Sequence, residues 1–549
     1  MPSSMPFFYK FITRQTGCNR RELFRRGGLL SSAALAGLAG AGAAAKPTRT
    51  TQAAASADSA KLYESLGVRP LINARGTFTI ITGSQTLPEV KQAMDLASRS
   101  YVQMDELMDG VGKRLAELTG APWGIVTAGC AAALTNCTAG SVAGTNPERM
   151  ERLPDLTNLK SEVIIPAYSR NVYDHAVRMI GVKIIEISQA SELEGAFSDR
   201  TAMVYILAGP GDDGPLGTEA ISNVARRHNV PVLVDAAAEV LTIPNVHLKR
   251  GATAVAYSGG KCLRGPQAAG MVLGDKNFLQ AAWANSAPHH AFGRSLKAGK
   301  EEIMGMLAAV ECWKARDHDA EWRQWLAELQ TISTAVQKVN GVTARVTDPE
   351  GLSNRTPELR IEWDAARIGI TGQELSKLLF DTDPRIALAG GSGHRPDKMA
   401  SGVSVVPYMM MAGDAEIVAE RLYATLSHPP KFENPPIPTG ETAPVAGQWS
   451  LELRFVRGSA MHTLILEQHG SELLGTHHGE FVSGDLTGKV QSDHVRFHGL
   501  QRIQGQTLSY DFIGTVNGDK MSGQVNLGEY GEAEWSAERH QYQATPQRS

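Results

Sequence analysis

The sequence predicts an α/β body, made of a large domain with a mostly parallel sheet and a small α+β domain, followed by a small all-β barrel or sandwich. Three observations lead to this prediction. Short β-branched runs alternate with helical patterns from residue 62 to 308, a proline-rich segment interrupts the chain at 427–444, and short strands with Gly-rich turns follow residue 449. Such alternation is typical of a parallel sheet covered by helices on both faces.

Composition and charge narrow the kind of partner. The 549 residues include 54 Lys+Arg and 57 Asp+Glu, which gives a formal net charge of -3. Nucleic-acid binding usually leaves a basic face or domain, so we expect no nucleic-acid partner. The five cysteines form no Cys-x-x-Cys pair, and we expect no metal. These features favour an enzyme with a small-molecule substrate.

Residues 1–45 have the pattern of an export signal. Adjacent Arg20 and Arg21, followed by Leu-Phe, precede a mild apolar run that ends in Ala43-Ala-Ala. This pattern resembles a twin-arginine signal peptide, and its apolar run is too weak to span a membrane. A basic tail followed by a low-complexity linker is the alternative. We therefore expect a periplasmic or exported protein with a flexible leader at 46–60.

Changes of pattern divide the rest of the chain. We predict the large domain at 61–310, the small α+β domain at 311–426, the Pro-rich linker at 427–444 and the β domain at 445–541. Strand patterns in the body lie at 123–127, 162–166, 182–187, 202–206, 231–235, 254–258, 358–363 and 403–407, and helical patterns at 219–228, 311–339 and 414–426. Because ligands bind at the carboxyl ends of parallel strands, active residues should follow these strands directly.

Three signals follow predicted strands. The run Thr127-Ala-Gly-Cys-Ala-Ala-Ala-Leu indicates an anion-binding helix N-terminus, although a plain tight turn would look the same. Asp235 ends an apolar strand, where a buried carboxylate needs a cationic partner or caps the next helix. Lys261 lies in a Ser/Gly-rich turn after the strand 254–258. A desolvated lysine there can form a Schiff base, and an exposed turn lysine is the ordinary alternative.

Together these signals are the parts that hold pyridoxal 5'-phosphate. The helix N-terminus would bind the phosphate, Asp235 would keep the pyridinium nitrogen protonated, and Lys261 would form the Schiff base. The protonated ring would then serve as an electron sink for a carbanion. The combination discriminates better than any single signal and predicts an enzyme that uses this cofactor.

The segment Ser258-Gly-Gly-Lys-Cys-Leu-Arg-Gly-Pro-Gln-Ala-Ala-Gly270 resembles the Schiff-base segment of the bacterial selenocysteine synthase family, a group of fold-type I pyridoxal-phosphate enzymes that includes D-glucosaminate-6-phosphate ammonia-lyase. Further matches are Ile72-Asn-Ala-Arg-Gly-Thr, Leu118-Thr-Gly-Ala-Pro-Trp and Gly293-Arg-Ser-Leu-Lys-Ala-Gly-Lys300. The resemblance covers residues 62–426 and implies the fold-type I architecture.

The resemblance implies that Lys261 forms the aldimine and that Asp235 is the pyridinium partner. Phosphate contacts would come from the loop residues Gly129, Cys130 and Ala131, and Ser258 would add a hydroxyl. The segment 168–175 would cover the cofactor face, with Arg170 as the candidate side chain.

Arg294 and Arg385 are candidates to bind a substrate carboxylate, because a guanidinium matches a carboxylate bidentately. A surface ion pair is the alternative for each. Fold-type I sites are generally built between two subunits, so the resemblance also implies a homodimer or a higher homo-oligomer.

Three departures from selenocysteine synthase narrow the range of substrates that we expect. The chain carries an export pattern and is not basic, and its phosphate loop is closer to the ammonia-lyase branch, so we expect no transfer-RNA substrate. We predict a lyase that uses Lys261 as the base at Cα of a small amino acid or amino-sugar acid and then eliminates a β-substituent. Racemisation and transamination begin with the same proton abstraction and stay open. A binding or scaffold protein without catalysis is the alternative of another class.

The tail after Trp449 shows about eight short alternating strands, which indicate a small closed barrel or sandwich. Several histidines lie there: His469, His477, His478, His494 and His498. Neighbouring residues of a strand point to opposite faces, so His477 and His478 would not share one ion. We expect surface histidines rather than metal ligands, and the pattern implies no activity for the tail.

Overall fold

The computed structural model of the protein describes residues 59–434 and 439–541. The described residues divide into two compact units: 59–169 together with 176–433, and 170–175 together with 434 and 439–541. The predicted signal peptide and all of the leader except residues 59 and 60 lie outside the described residues. Within the described ranges, no helix is both long enough and apolar enough to cross a membrane.

The first unit contains a seven-stranded sheet. The first described strand, β1 (Ile72–Ala74), belongs to a smaller sheet treated below. The strands of the large sheet are β2 (Trp123–Thr127), β3 (Glu162–Pro166), β4 (Lys183–Ile187), β5 (Thr201–Leu207), β6 (Val232–Asp235), β7 (Ala254–Ser258) and β8 (Gly270–Gly274). Their order is β2-β8-β7-β6-β5-β3-β4. Only β8 runs antiparallel to its neighbours, so the predicted mostly parallel sheet is confirmed.

Nine helices between residues 88 and 315 accompany this sheet in the described chain: α1 (Pro88–Ser98), α2 (Met104–Thr119), α3 (Cys130–Ala143), α4 (Pro147–Arg152), α5 (Asp174–Arg178), α6 (Thr218–Arg227), α7 (Val246–Lys249), α8 (Lys276–Ala284) and α9 (Lys300–Ala315). Every residue of β2, β3 and β8 is buried, as expected for strands covered on both faces. We did not predict β8, because glycine at both ends of Gly270–Gly274 is unfavourable in strands.

A five-stranded sheet forms the small domain of the same unit. It adds β9 (Val342–Thr347), β10 (Glu358–Asp364), β11 (Ile386–His394) and β12 (Lys398–Val405), in the order β1-β11-β12-β10-β9. The helices that accompany it are α10 (His318–Val336), α11 (Ala365–Ile368), α12 (Gly372–Asp381) and α13 (Asp414–Ser427). The strands β9 to β12 pair antiparallel, whereas β1 pairs in parallel with β11. The small domain is therefore α+β, as predicted.

Two details differ from the sequence prediction. The single helix expected at 311–339 is two helices, because α9 ends at Ala315 and the Asp317 side chain caps α10 by accepting the backbone N–H of Ala320. The strand β1 joins the small sheet, with Ile72 opposite Ile386, although it lies in the segment predicted for the large domain. A local pattern carries no information about such a distant pairing.

The second unit contains a closed eight-stranded barrel, which confirms the barrel prediction. Its strands are β13 (Gly447–Arg454), β14 (Ser459–His469), β15 (Glu472–His478), β16 (Ser483–Gln491), β17 (His494–Ile503), β18 (Gln506–Asn517), β19 (Lys520–Asn526) and β20 (Glu532–Arg539). Each strand pairs antiparallel with the next, and β20 closes on β13. The interior holds large buried aromatic side chains: Trp449, Phe497, Phe512 and Trp535.

The positions of the barrel histidines differ in part from the prediction. His477 is buried and His478 is partly exposed, so the two point to opposite faces as predicted. The expected surface position is wrong for His477, whose Nε2 lies 2.8 Å from Nδ1 of the buried His462. Burial lowers the pKa of His477 to about 3. In the part of the chain that the structure describes, no group of three or more His, Cys, Asp or Glu side chains could hold a metal ion.

Candidate active site

Asp235 lies at the centre of the candidate site. It is the last residue of β6, and only 2% of its surface is exposed. Its Oδ1 accepts the backbone N–H of Ala237 over 3.0 Å and the Cys130 thiol over 3.5 Å. Its Oδ2 accepts the Tyr205 hydroxyl over 3.0 Å. The next helix, α7, begins only at Val246, so Asp235 does not cap a helix and its carboxylate is oriented by these three donors.

Burial dominates the electrostatics of this carboxyl group. It raises the pKa of Asp235, whereas the hydrogen bonds from Ala237, Tyr205 and Cys130 and the charge of Lys261 lower it. Burial, together with the negative charge of Asp235, raises the pKa of the Cys130 thiol well above its usual value. The thiol therefore stays protonated and donates its hydrogen. A buried carboxylate with neutral donors around it is suited to a cationic ligand group.

Lys261 follows β7, the strand next to β6 in the sheet. The two strands run parallel, with Asp235 opposite Ala256, so their carboxyl ends lie side by side. The Lys261 side chain is half-buried, and its charge acts on both Asp235 and Cys130. Its ammonium group forms no hydrogen bond or ion pair within residues 59–434 and 439–541. The structure thus brings Lys261 and Asp235 to one edge of the sheet, and their chemical roles stay predictions.

The helix α3 begins at the same edge. Gly129 precedes it with a φ of 88°, a left-handed conformation that favours glycine. Its carbonyl accepts the Thr127 hydroxyl over 2.8 Å. Ala131 is exposed, and the first turn of α3 contains no acidic residue. Because the first N–H groups of a helix have no partner within the helix, this end can receive an anion.

Gly270 lies between the ends of β7 and β2 and the start of α3. As the first residue of β8 it lies opposite both Ser258 at the end of β7 and Thr127 at the end of β2. An ideal Cβ atom on Gly270 would lie 2.6 Å from the carbonyl carbon of Gly129, so α3 starts directly against this glycine. The half-buried Ser258 therefore shares the edge with the N-terminus of α3.

The two arginines proposed for a substrate carboxylate have different surroundings. Arg294 is exposed. The Arg385 guanidinium donates to the carbonyls of Phe380 and Arg69 over 2.8 and 3.2 Å and lies 3.9 Å from the centre of the Phe380 ring. In the described ranges, neither arginine forms a hydrogen bond or ion pair with Asp235 or Lys261. Their role in substrate binding stays a prediction.

Arg170 belongs to the second unit, although it follows β3 in the sequence. Its Nε donates to Asp174 over 2.6 Å, and both side chains are almost fully buried. Its Nη2 donates to Gln504, which precedes β18, over 2.9 Å. The structure therefore places Arg170 in a buried ion pair, and its predicted position over the cofactor stays a prediction.

The sequence analysis did not predict the side-chain contacts of two residues, Tyr205 and Gln267. Tyr205 lies within the apolar strand β5 and is fully buried. A tyrosine in such an apolar run was the available signal, because a buried hydroxyl needs a hydrogen-bond partner. Gln267 donates to the carbonyl and the hydroxyl of Ser84 over 2.6 and 2.9 Å. These hydrogen bonds connect the segment after β1 to the turn that contains Lys261, and no local sequence pattern predicts that contact.

Comparison with known proteins gives two curated relatives. The chain is 26% identical over 379 residues to D-glucosaminate-6-phosphate ammonia lyase of Salmonella typhimurium, a match that covers 67% of this chain and 98% of the relative. It is 29% identical over 311 residues to 5'-C-glycyluridine monooxygenase-decarboxylase of Streptomyces sp., a match that covers 54% of this chain and 75% of the relative. No family model matches the chain.

A solved structure of D-glucosaminate-6-phosphate ammonia-lyase is similar to this one, with a TM-score of 0.59 and 25% identity. The match covers 67% of this chain and 98% of that structure. The relative is thus covered almost completely, and about a third of this chain lies outside the match. The chain is therefore a homologue of D-glucosaminate-6-phosphate ammonia lyase with the fold-type I architecture of pyridoxal-phosphate enzymes, and it carries an eight-stranded β-barrel in addition.

Proposed function

We propose that this protein is a pyridoxal-phosphate-dependent lyase that acts on a small amino acid or amino-sugar acid. The observation that carries the proposal is the arrangement of Asp235, Lys261 and the N-terminus of α3 at one edge of the large sheet. The similarity to an ammonia lyase, which extends over nearly the whole relative, supports the same reaction class.

The residues at this edge fit the cofactor. The buried carboxylate of Asp235 suits a protonated ring nitrogen, and the open first turn of α3, at Gly129, Cys130 and Ala131, suits a phosphate. Ser258 offers a hydroxyl beside that turn. When bound, pyridoxal phosphate supplies an electron sink for negative charge at Cα of an amino substrate.

Lys261 would serve as the base of the reaction. The Lys261 side chain is half-buried and its charge acts on Asp235, and Nζ would take the proton from Cα of the substrate. Loss of a substituent from Cβ and hydrolysis of the resulting enamine would give a keto acid and ammonia. Racemisation and amino transfer would use the same first proton transfer, and the similarity to an ammonia lyase favours elimination.

Substrate recognition calls for a cation outside this core. Arg294 is exposed in the segment after α8, and its guanidinium suits the carboxylate of an amino acid. The bonds of Arg385 to two backbone carbonyls leave other N–H groups of its guanidinium for the same purpose. We propose Arg294 as the first of the two to test.

Export and assembly complete the proposal. The twin-arginine pattern at Arg20-Arg21 suits a protein that folds around its cofactor before export to the periplasm. Large apolar side chains of the body are strongly exposed, among them Leu66, Ile80 and Tyr101. An interface with a second copy would remove such side chains from water, and we propose at least a homodimer.

The first experiment is borohydride reduction of the purified protein with pyridoxal phosphate, followed by peptide mapping. We expect a pyridoxyl group on Lys261 in the wild type and none on this peptide in Lys261→Ala. Lys276→Ala, which changes a lysine stacked on Trp123 elsewhere in the body, is the control and should keep the label. Amino acids and amino-sugar acids are then screened for release of ammonia and keto acid. A wild-type protein that stays unlabelled at Lys261 would contradict the proposal and favour a binding role.

A further inference from the structure

Tyr205 and Cys130 approach the carboxylate of Asp235 from two different elements. Tyr205 lies two residues before the end of β5, whose Leu207 is paired with Asp235. Cys130 is the first residue of α3. Their donors reach different oxygens, Oδ2 over 3.0 Å and Oδ1 over 3.5 Å. We infer that Tyr205 and Cys130 are positioning residues, which orient the Asp235 carboxylate toward the ring nitrogen of the cofactor and keep it ionised. This inference rests on the proposed function.

The two donors are needed because burial opposes the charge on Asp235. Hydrogen bonds to the charged form of a carboxyl group favour that form. The titratable groups with the largest effect on Asp235 are the Tyr205 hydroxyl from β5, the Cys130 thiol from α3 and the Lys261 ammonium after β7. If a donor is removed, the carboxyl group takes up a proton at higher pH, and a protonated carboxyl group cannot pair with a protonated ring nitrogen.

The consequence is a pH-dependent loss of cofactor affinity. Tyr205→Phe removes a hydroxyl donor without changing the ring, and Cys130→Ala removes the weaker thiol donor. Cys130→Ser retains a donor at the same position. A purely structural role would weaken the affinity equally at every pH, whereas the positioning role weakens it most on the acid side.

The chain offers a matched control for each variant. Tyr257 in β7 is as deeply buried as Tyr205, but its hydroxyl accepts the Asn245 side chain over 2.6 Å. Cys137 lies in the same helix as Cys130 and is fully buried, and among the described residues its thiol forms no hydrogen bond to Asp235. Tyr257→Phe and Cys137→Ala therefore remove the same chemical groups at positions that form no hydrogen bond to the Asp235 carboxylate.

The test measures the dissociation constant of pyridoxal phosphate for the full-length protein between pH 5.5 and 9, by tryptophan fluorescence and equilibrium dialysis. We expect Tyr205→Phe to move the acid-side midpoint of the affinity profile upward by about one pH unit, since a hydrogen bond to a charged group is among the stronger ones. Cys130→Ala should move it less, Cys130→Ser should lie closer to the wild type than Cys130→Ala does, and the controls Tyr257→Phe and Cys137→Ala should follow the wild type. Circular dichroism checks the fold of each variant.

The outcomes separate the two proposals. A wild type that takes up no pyridoxal phosphate at Lys261 overturns both the proposed function and this inference. A wild type that binds the cofactor, with a Tyr205→Phe profile that is weakened by the same factor at every pH, overturns the inference alone. An equal midpoint shift in the controls also overturns it. If Tyr205→Phe does not fold, the comparison of Cys130→Ala with Cys130→Ser decides, and coincident profiles of these two overturn the inference.

Discussion

Gly270 of β8 lies directly against Gly129 at the start of α3, so that a Cβ atom on Gly270 would lie 2.6 Å from the carbonyl carbon of Gly129. Real Cβ atoms do not approach backbone this closely, and α3 would have to shift. The close approach places the helix N-terminus beside Ser258, which pairs with Gly270 across β7 and β8. A glycine in a sheet strand thus determines the position of the proposed phosphate site.

We predict that Gly270→Ala weakens pyridoxal-phosphate binding at least tenfold and lowers the free energy of unfolding by about 1–3 kcal/mol, the usual cost of overpacking. Fluorescence titration and urea denaturation measure the two effects. Gly120→Ala is the control, since a Cβ atom there has no neighbour within 4 Å although its φ is 74°. It should destabilise slightly without changing the affinity. Unchanged cofactor affinity in Gly270→Ala would contradict the role given to this contact.

We predict that Asp235→Asn lowers the activity of the enzyme but raises the stability of the cofactor-free protein. We expect the activity to fall by about a hundredfold or more, because the negative charge that would pair with the ring nitrogen of the cofactor is lost. Burial raises the pKa of Asp235 above its usual 3.8, so the folded protein binds more protons than the unfolded chain just above pH 3.8. Stability from this group is therefore lost as the pH rises through that window.

The cofactor-free Asp235→Asn variant should consequently unfold at a higher urea concentration than the wild type at pH 7, and the difference should shrink toward pH 4. Asp95→Asn, at an exposed carboxylate paired with Arg99, is the matched control and should show no such gain. A wild type that is the more stable protein at pH 7 would show that the buried charge is fully compensated.

His247 in the first unit should contribute strongly to stability. Its side chain is 1% exposed, with Nε2 at 2.7 Å from Glu239 and Nδ1 at 3.5 Å from Asp212, and both carboxylates are buried. We predict that His247→Ala lowers the free energy of unfolding by about 1–3 kcal/mol, because the buried Glu239 carboxylate loses its imidazole partner, whereas Asp212 keeps Arg250 and Thr218. His228→Ala, at a more exposed ion pair with Glu194, should have a much smaller effect in the same urea titration. Equal effects would mean that the buried cluster contributes little.

The barrel should lose stability in acid because of His477. Burial lowers its pKa to about 3, whereas the unfolded chain takes up the proton near pH 6.5. Its contribution is therefore complete above pH 6.5 and is lost as the pH falls toward 3, by a total of about 5 kcal/mol. His477→Gln should flatten this dependence, measured as limited proteolysis within 447–539 of the full chain between pH 7 and 4. His478→Gln, one residue away and partly exposed, should behave as the wild type. An unaltered pH dependence in His477→Gln would place the acid sensitivity elsewhere.

The sequence alone determined the strands β2 to β7, the helix α6 and the eight-stranded tail, because periodicity and turn residues act over a few neighbouring positions. It also placed Asp235 and Lys261 at the ends of strands, and the rule for parallel sheets brought those ends together. The resemblance to the ammonia-lyase family, confirmed by the comparisons, rested on the motif around Lys261.

Only the tertiary structure decided which groups surround these residues. The hydrogen bonds of Tyr205 and Cys130 to Asp235 join segments that are distant in the chain. The strand β1 likewise pairs with β11, which lies at the other end of the first unit in the sequence. The burial of His477 followed from the closure of the barrel, which turned one face of β15 inward. Local pattern fixes the direction of a side chain relative to its own strand, whereas the partners that it meets depend on how distant elements pack.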